Sequence, residues 1–130
     1  MNESRIQHIT NEIENSPFLK HLGFKIHRWN KGKCEIFVPL TDNICNTQGE
    51  IKWGVCSILC YASSYIVACT LLQDGNLPVN YSSKISLISS VTNSGLYVYS
   101  STEEEANYLI ESKVYDTNQN LIAVGTNCYN

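Results

Sequence analysis

Residues 3–15 (ESRIQHITNEIEN) set Ile6, Ile9 and Ile13 at helical spacing with polar residues between them, which predicts an amphipathic N-terminal helix. Ser16-Pro17 interrupts that pattern, and Pro17 opens a short apolar turn, PFLKHL, that ends at Gly23. Two strand-like stretches follow, 24–29 and 34–40 (CEIFVPL), and the Asn30-Lys31-Gly32 signal between them predicts a hairpin. A polar loop over 41–50 (TDNICNTQGE) leads into a run with no periodicity at all: residues 53–72 (WGVCSILCYASSYIVACTLL) are apolar or small on every side. Asp74-Gly75-Asn76 marks its end, glycine being the usual residue for the left-handed turn past a helix. The remaining chain alternates. Residues 79–90, 96–102, 107–116 and 121–129 read as strands, with hairpin signals at Asn93-Ser94-Gly95, Glu103-Glu104-Glu105 and 117–120. In YLIESKVYD one face carries Tyr108, Ile110, Ser112 and Val114, and the other Leu109, Glu111, Lys113 and Tyr115, as in an antiparallel sheet with one covered face.

The order is helix, two strands, one long buried helix, then four strands, an α+β layout in which a curved antiparallel meander encloses the long helix. The chain of 130 residues reads as a single domain, 1–130, with 1–22 as an N-terminal helical segment and 53–72 as the central helix. The uncharged run is as long as a transmembrane helix. However, it holds three Ser, one Thr, three Cys and a Gly, lacks a flanking basic cluster, and precedes some fifty residues of strand pattern that need a partner to cover them. A buried core helix is the better reading, with no membrane span.

Only 16% of residues are charged, the net charge is -3, and 14 Asn and 14 Ser supply the polar surface instead. With Lys and Arg scattered and outnumbered, no phosphate-neutralising stripe exists, which argues against nucleic-acid binding. The first sixteen residues lack the apolar core of a secretory signal, so the expected compartment is the cytoplasm. Cys34, Cys45, Cys56, Cys60, Cys69 and Cys128 then read as free thiols. Cys56 and Cys60 share a helix face, but nothing nearby completes four metal ligands, so no metal and no cofactor is implied.

PFLKHLGFKI, GKCEIFVPL, NTQGEIKWGVCSILCYASSYIVA and the tail LIAVGTNCYN together resemble the hotdog-fold acyl-CoA thioesterase superfamily, in its phenylacetate-type branch, from about Pro17 to Tyr129. The resemblance implies a hotdog fold: a curved antiparallel sheet wrapped around the central helix. It also implies a homodimer with sheets paired edge to edge, or a homotetramer of two such dimers. In that family the loop before the helix reads Asn-x-x-Gly-x-x-His-Gly-Gly, with an acid seven residues after the last Gly. A backbone N–H at the helix start polarises the thioester carbonyl, and the acid acts as base or nucleophile. That chemistry suits a helix N-terminus, whose unpaired N–H groups stabilise a developing oxyanion.

On this chain Asn46, Gly49 and Gly54 match the family pattern, whereas Lys52 stands at the His position, Trp53 at the first Gly of the pair and Tyr61 at the acid. A phenol, of ordinary pKa ~10, donates a hydrogen bond at neutral pH but is a poor general base. The resemblance therefore implies carbonyl activation by Asn46 and the Gly54 N–H, with Tyr61 in the acid's place, Glu50 as the nearest substitute carboxylate, and Lys52, Trp53, Gly49 and Ser57 around the ligand. Cys56, in the first helical turn, would feel the dipole as a nucleophile, but small residues there are better explained by packing. His8, His21 and His27 read as surface or hydrogen-bonded side chains. Lys31, Lys33, Lys84 and Lys113 are candidates for coenzyme A phosphates or simply for solubility. Three functions stay open: a thioester hydrolase, a non-catalytic protein binding acyl-CoA or another acyl ligand, and a ligand-free interaction module.

Overall fold

The computed structural model describes residues 3–72, 76–90, 93–104 and 108–130. Helix α1 spans Glu3–Asn15 and α2 spans Pro17–Leu22, followed by strands β1 (Lys25–Asn30) and β2 (Lys33–Val38). The long helix α3 covers Trp53–Leu71, and β3 (Asn80–Leu87), β4 (Leu96–Glu104), β5 (Leu109–Asp116) and β6 (Leu121–Tyr129) complete the chain. Gly23 ends α2 at φ 83°, where its N–H caps the carbonyls of Leu19 and Lys20, so a side chain there would be strained. Gly32 takes φ 80° in the β1–β2 turn. The signals at Asp74, Gly75 and Glu105, and Asn107 at the start of the 107–116 stretch, lie outside the described residues.

The six strands form one antiparallel sheet in the order β1-β2-β4-β5-β6-β3. This corrects the meander expected from the turn signals. Asn93-Ser94-Gly95 does not close a hairpin: β3 crosses to the far side of the sheet and pairs with β6, from Asn80 opposite Tyr129 to Leu87 opposite Ala123, while β4 pairs with β2 and β5. A sheet that wraps a helix must bring a strand from each side of it, and the chain does so by crossing over.

Alternation holds on the inner face. Ile36 and Val38 of β2, Leu96, Val98 and Ser100 of β4, and Ile110, Ser112 and Val114 of β5 are buried, as are Ala123, Gly125, Asn127 and Tyr129 of β6. They enclose α3, in which twelve of nineteen residues are buried. By length and composition α3 could cross a membrane, but most of its apolar surface is spent on the sheet. Small residues let the two layers approach. The Ser112 hydroxyl lies 3.5 Å from the Cys60 carbonyl, and Tyr129 Oη lies 2.7 Å from Ser64 Oγ. The β1–β2 turn is tied to the far end of α3, where the Gly32 N–H donates to Thr70 Oγ1 at 2.9 Å. Helix α1 closes one flank, burying Ile6 and Thr10, and Glu14 accepts the Ile26 N–H at 2.7 Å.

Candidate functional site

The loop before α3 is folded by the motif that the sequence singled out. Asn46 Oδ1 accepts the N–H groups of Gln48 (2.9 Å) and Glu50 (3.1 Å). The Asn46 N–H donates to the Glu50 carbonyl at 2.8 Å, and the Gly49 N–H donates to the Asn46 carbonyl at 3.0 Å. Gly49 takes φ 78°, the left-handed region that this tight turn needs. The side-chain oxygen of Asn46 is thus committed to the loop, and only its amide nitrogen remains for a ligand. Glu50 is half-buried in the same turn.

The Lys52 N–H bonds the Ile44 carbonyl at 2.9 Å, which aims the chain into α3. Lys52 occupies the cap position in extended geometry and, having no acceptor, leaves the helix start without a side-chain cap. Val55 bonds back to the Lys52 carbonyl at 3.0 Å. The space where a Gly54 side chain would stand is empty to 4 Å, so a ligand can approach the backbone there. Beside this turn lies an apolar slot of about 270 Å³, walled by Ile51, Trp53, Cys56, Leu87, Ile88 and Ile122. Trp53, 65% exposed, forms its rim.

On α3 the incompletely buried residues are Trp53, Gly54, Ser57, Ile58, Tyr61, Tyr65 and Leu71, a stripe at helical spacing. Ser57, one turn after Gly54, and Tyr61, two turns after it, enter a second cleft of about 290 Å³, whose other walls include Ser83, Lys84, Ile85 and Asn127. Tyr61 stacks on Tyr65 with ring centres 6.3 Å apart. Among the described residues no carboxylate lines either the slot or this cleft.

The candidate residues therefore fall into three groups: Asn46, Gly49, Glu50 and Lys52 in the loop, Trp53 at the slot with Gly54 next to it in the first helical turn, and Ser57 and Tyr61 in the second cleft. Cys56 does reach the slot, but burial pushes its thiol up to about 11, against the reactive thiolate that a helix start would otherwise favour. Burial pushes Cys60 up to about 12 and Cys69 up to about 11 in the same way. The histidines stay on the periphery: His8 lies 3.0 Å from Glu12, His27 stacks on Phe37, and His21 offers its carbonyl to Asn43. Lys113 lies 3.6 Å from Glu111. Lys33 borders a separate outer cavity with Arg28 and Glu35. Sequence reasoning passed over Asn127, although a buried Asn on the inward face of an otherwise apolar strand was readable from the alternation around Gly125 and Tyr129.

A long helix cradled by a six-stranded antiparallel sheet, its exposed start facing an apolar slot, defines the hotdog fold. No family model matches the chain, and no curated protein matches it. Solved structures do. A thioesterase family protein from Silicibacter pomeroyi aligns with a TM-score of 0.85 at 14% identity, over 95% of this chain and 94% of that one. The PaaI protein of the Escherichia coli phenylacetic acid degradation operon aligns at 0.81 and 14% identity, over 95% and 89%. A Haemophilus influenzae thioesterase aligns at 0.80 and 15% identity, over 92% and 85%. At these identities the likeness is one of fold.

Proposed function

We propose that this chain binds acyl thioesters in the manner of its thioesterase-like fold, with the carbonyl at the start of α3 and the acyl group in the slot beside Trp53. The observation that carries the reading is the uncapped, unobstructed first turn of a 19-residue helix next to an apolar slot. Its N–H groups supply partial positive charge where a carbonyl oxygen gathers electrons. The slot, at about 270 Å³, lies between the ~150 Å³ cavity that takes a benzene and the ~300–1,000 Å³ of drug-sized sites, which suits a short acyl chain or a single ring.

Binding is favoured over turnover because a phenol, Tyr61, stands where the resembling family has its acid, and neither described cleft wall carries a carboxylate. A second reading, slow hydrolysis, rests on Glu50, which the Asn46 turn holds just ahead of the helix. A homodimer follows from the free edge of β3. The six unpaired thiols support a cytoplasmic, reducing setting.

Two measurements test this. Acetyl-, hexanoyl-, palmitoyl- and aromatic acyl-CoA, incubated with protein and a thiol reagent, should release coenzyme A no faster than buffer alone. Unreactive coenzyme A should raise the melting temperature, since a ligand at a hundred times its dissociation constant stabilises by ~2.7 kcal/mol. Absence of that shift would sink the binding reading, and release abolished by Glu50→Gln would establish the second. Tyr61→Asp should bring hydrolysis above the buffer rate, because it restores a carboxylate two turns from the helix start.

A further inference from the structure

The face of the sheet turned away from α3 carries aromatic rings at positions where a solvated face is usually polar. Leu96, Val98 and Ser100 point inward, so Tyr97 and Tyr99 of β4 point outward, and Tyr115 of β5, the register partner of Tyr97, joins them. The rings lean in two directions. Tyr97 packs on Phe37 of β2 with ring centres 4.6 Å apart, whereas Tyr115 meets Tyr99 edge-on at 5.6 Å. A cavity of about 590 Å³ opens at these rings, lined by Tyr97, Tyr99, Tyr115, Asp116, Thr117 and Gln119. It shares no residue with the slot or the cleft beside α3.

The charge around this cavity is one-sided. Among the described residues no Lys or Arg lines it, while Asp116 does. The Asp116 carboxylate accepts the N–H groups of Asn118 and Asn120 and the Asn120 side-chain amide. Against the pull of burial, these donors keep it charged at neutral pH. Lys113, the register partner of Tyr99, lies 3.6 Å from Glu111, which offsets its charge, and Lys25 stands on the far side of Phe37. The polar groups of the wall are largely spoken for: Asp116 takes its three donors from the turn, and Thr117 Oγ1 lies 3.1 Å from Ser94 Oγ. A sugar would find few partners for its hydroxyls here, and an N–H cation few free acceptors. Ring surface and negative potential remain, and those attract a cation that has no N–H to satisfy.

We propose that this outer cavity binds a small quaternary ammonium ion, a trimethylammonium group on a short neutral chain. The methyl groups rest on Tyr97, Tyr99 and Tyr115, Asp116 supplies the field from beneath the turn, and Thr117 and Gln119 border the neutral end. The proposal stands apart from the thioester reading, whose site lies at the start of α3 on the opposite face of the sheet.

Choline and the dimethylbutanol in which carbon replaces its nitrogen, equal in shape and different in charge, are the probes, titrated into the intact protein by NMR. Choline should bind at least tenfold more tightly than the alcohol and should shift the ring signals of Tyr97, Tyr99 and Tyr115. Tyr99→Leu should weaken choline at least fivefold, whereas Tyr99→Phe should keep it, because the ring and not the hydroxyl makes the contact. Since Tyr99 also supports Tyr115, Gln119→Lys provides a second variant: it sets a cation at the exposed rim, leaves the ring packing alone, and should weaken choline without changing the alcohol. Equal affinity for the alcohol, full binding by Tyr99→Leu, or no ring shift at a thousandfold excess of choline, as when a further copy of the chain covers this face, would each overturn the proposal. So would binding to phosphatidylcholine vesicles without binding to free choline, because the group would then be recognised only within a lipid surface. The coenzyme A melting shift reports on the other site, so the two readings fail separately.

Discussion

Gly54 and Gly125 both border α3, yet an added methyl group would meet opposite surroundings. At Gly54 nothing lies within 4 Å, whereas at Gly125 the new carbon would sit 3.0 Å from Cys60 Cβ and 3.1 Å from its Sγ. Gly54→Ala should therefore stabilise the protein by up to ~1 kcal/mol through helix propensity. Gly125→Ala should destabilise it, because ~1–3 kcal/mol of overpacking exceeds the ~0.5–1 kcal/mol that alanine gains over glycine in a strand. Urea denaturation of both variants checks the pair, and equal effects would refute the close helix–sheet approach. The sequence marked Gly54 for chemistry and Gly125 only as part of Ala-x-Gly-Thr, since a requirement imposed by Cys60, 65 residues away, has no local signature. Asn46 is the converse case. Its spacing from Gly49 was legible, but the geometry spends its side-chain oxygen on folding the loop.

Among the elements, the β5–β6 turn carries the clearest electrostatic commitment. Asp116, 4% exposed, accepts the N–H groups of Asn118 (2.9 Å) and Asn120 (2.8 Å), and also the Asn120 side-chain amide (3.0 Å). Burial alone would raise its pKa, but the donors from Asn120 and Asn118 outweigh that and hold the carboxyl below its ordinary value of 3.8. A depressed folded-state pKa means stability that is fully present above the unfolded value and lost as pH falls through the folded one. Unfolding free energy measured by urea from pH 7 to pH 3 should thus decline below about pH 4. Asp116→Asn should cost ~1–3 kcal/mol at pH 7, from lost acceptors on buried N–H groups, and should show a shallower acid decline. An unchanged acid slope would mean that other carboxylates govern it. The polar stretch 117–120 announced this turn in the sequence, and so did the signals around α1, α2 and the β1–β2 hairpin. The partner of β3 was not announced: strand period and turn residues are local, whereas the pairing of Ser83 with Asn127 is decided by which strand the chain reaches after wrapping α3.

At the scale of the whole molecule, the sheet ends in an edge that is poorly protected. Among the described residues strand β3 pairs only with β6, and Val79 and Tyr81 near one end and Leu87 and Ile88 at the other are each more than half exposed. Natural edges are usually blunted by charge, proline or a bulge; β3 has one lysine, Lys84, and an irregularity between Asn80 and Ser82, but from Ser82 to Leu87 it is regular and can pair with another strand. The stripe of α3 carrying Ser57, Ile58, Tyr61 and Tyr65 flanks the same edge across the second cleft, so the apolar surface left open by one chain is continuous. A second copy of the chain fits it best, because two-fold pairing of β3 with β3 satisfies both edges at once and leaves no strand for further addition. Light scattering coupled to size exclusion should then give twice the 14.6 kDa chain mass, or four times if dimers pair again. The double variant Tyr81→Lys with Leu87→Lys should shift the protein to monomer while keeping its circular dichroism spectrum. A wild-type monomer, or a double variant that stays dimeric, would refute the β3 edge as the contact. The consequence reaches the site. If Tyr61 of one chain meets the helix start of the other, the monomeric variant should also lose the coenzyme A melting shift, whereas a site complete within one chain would keep it.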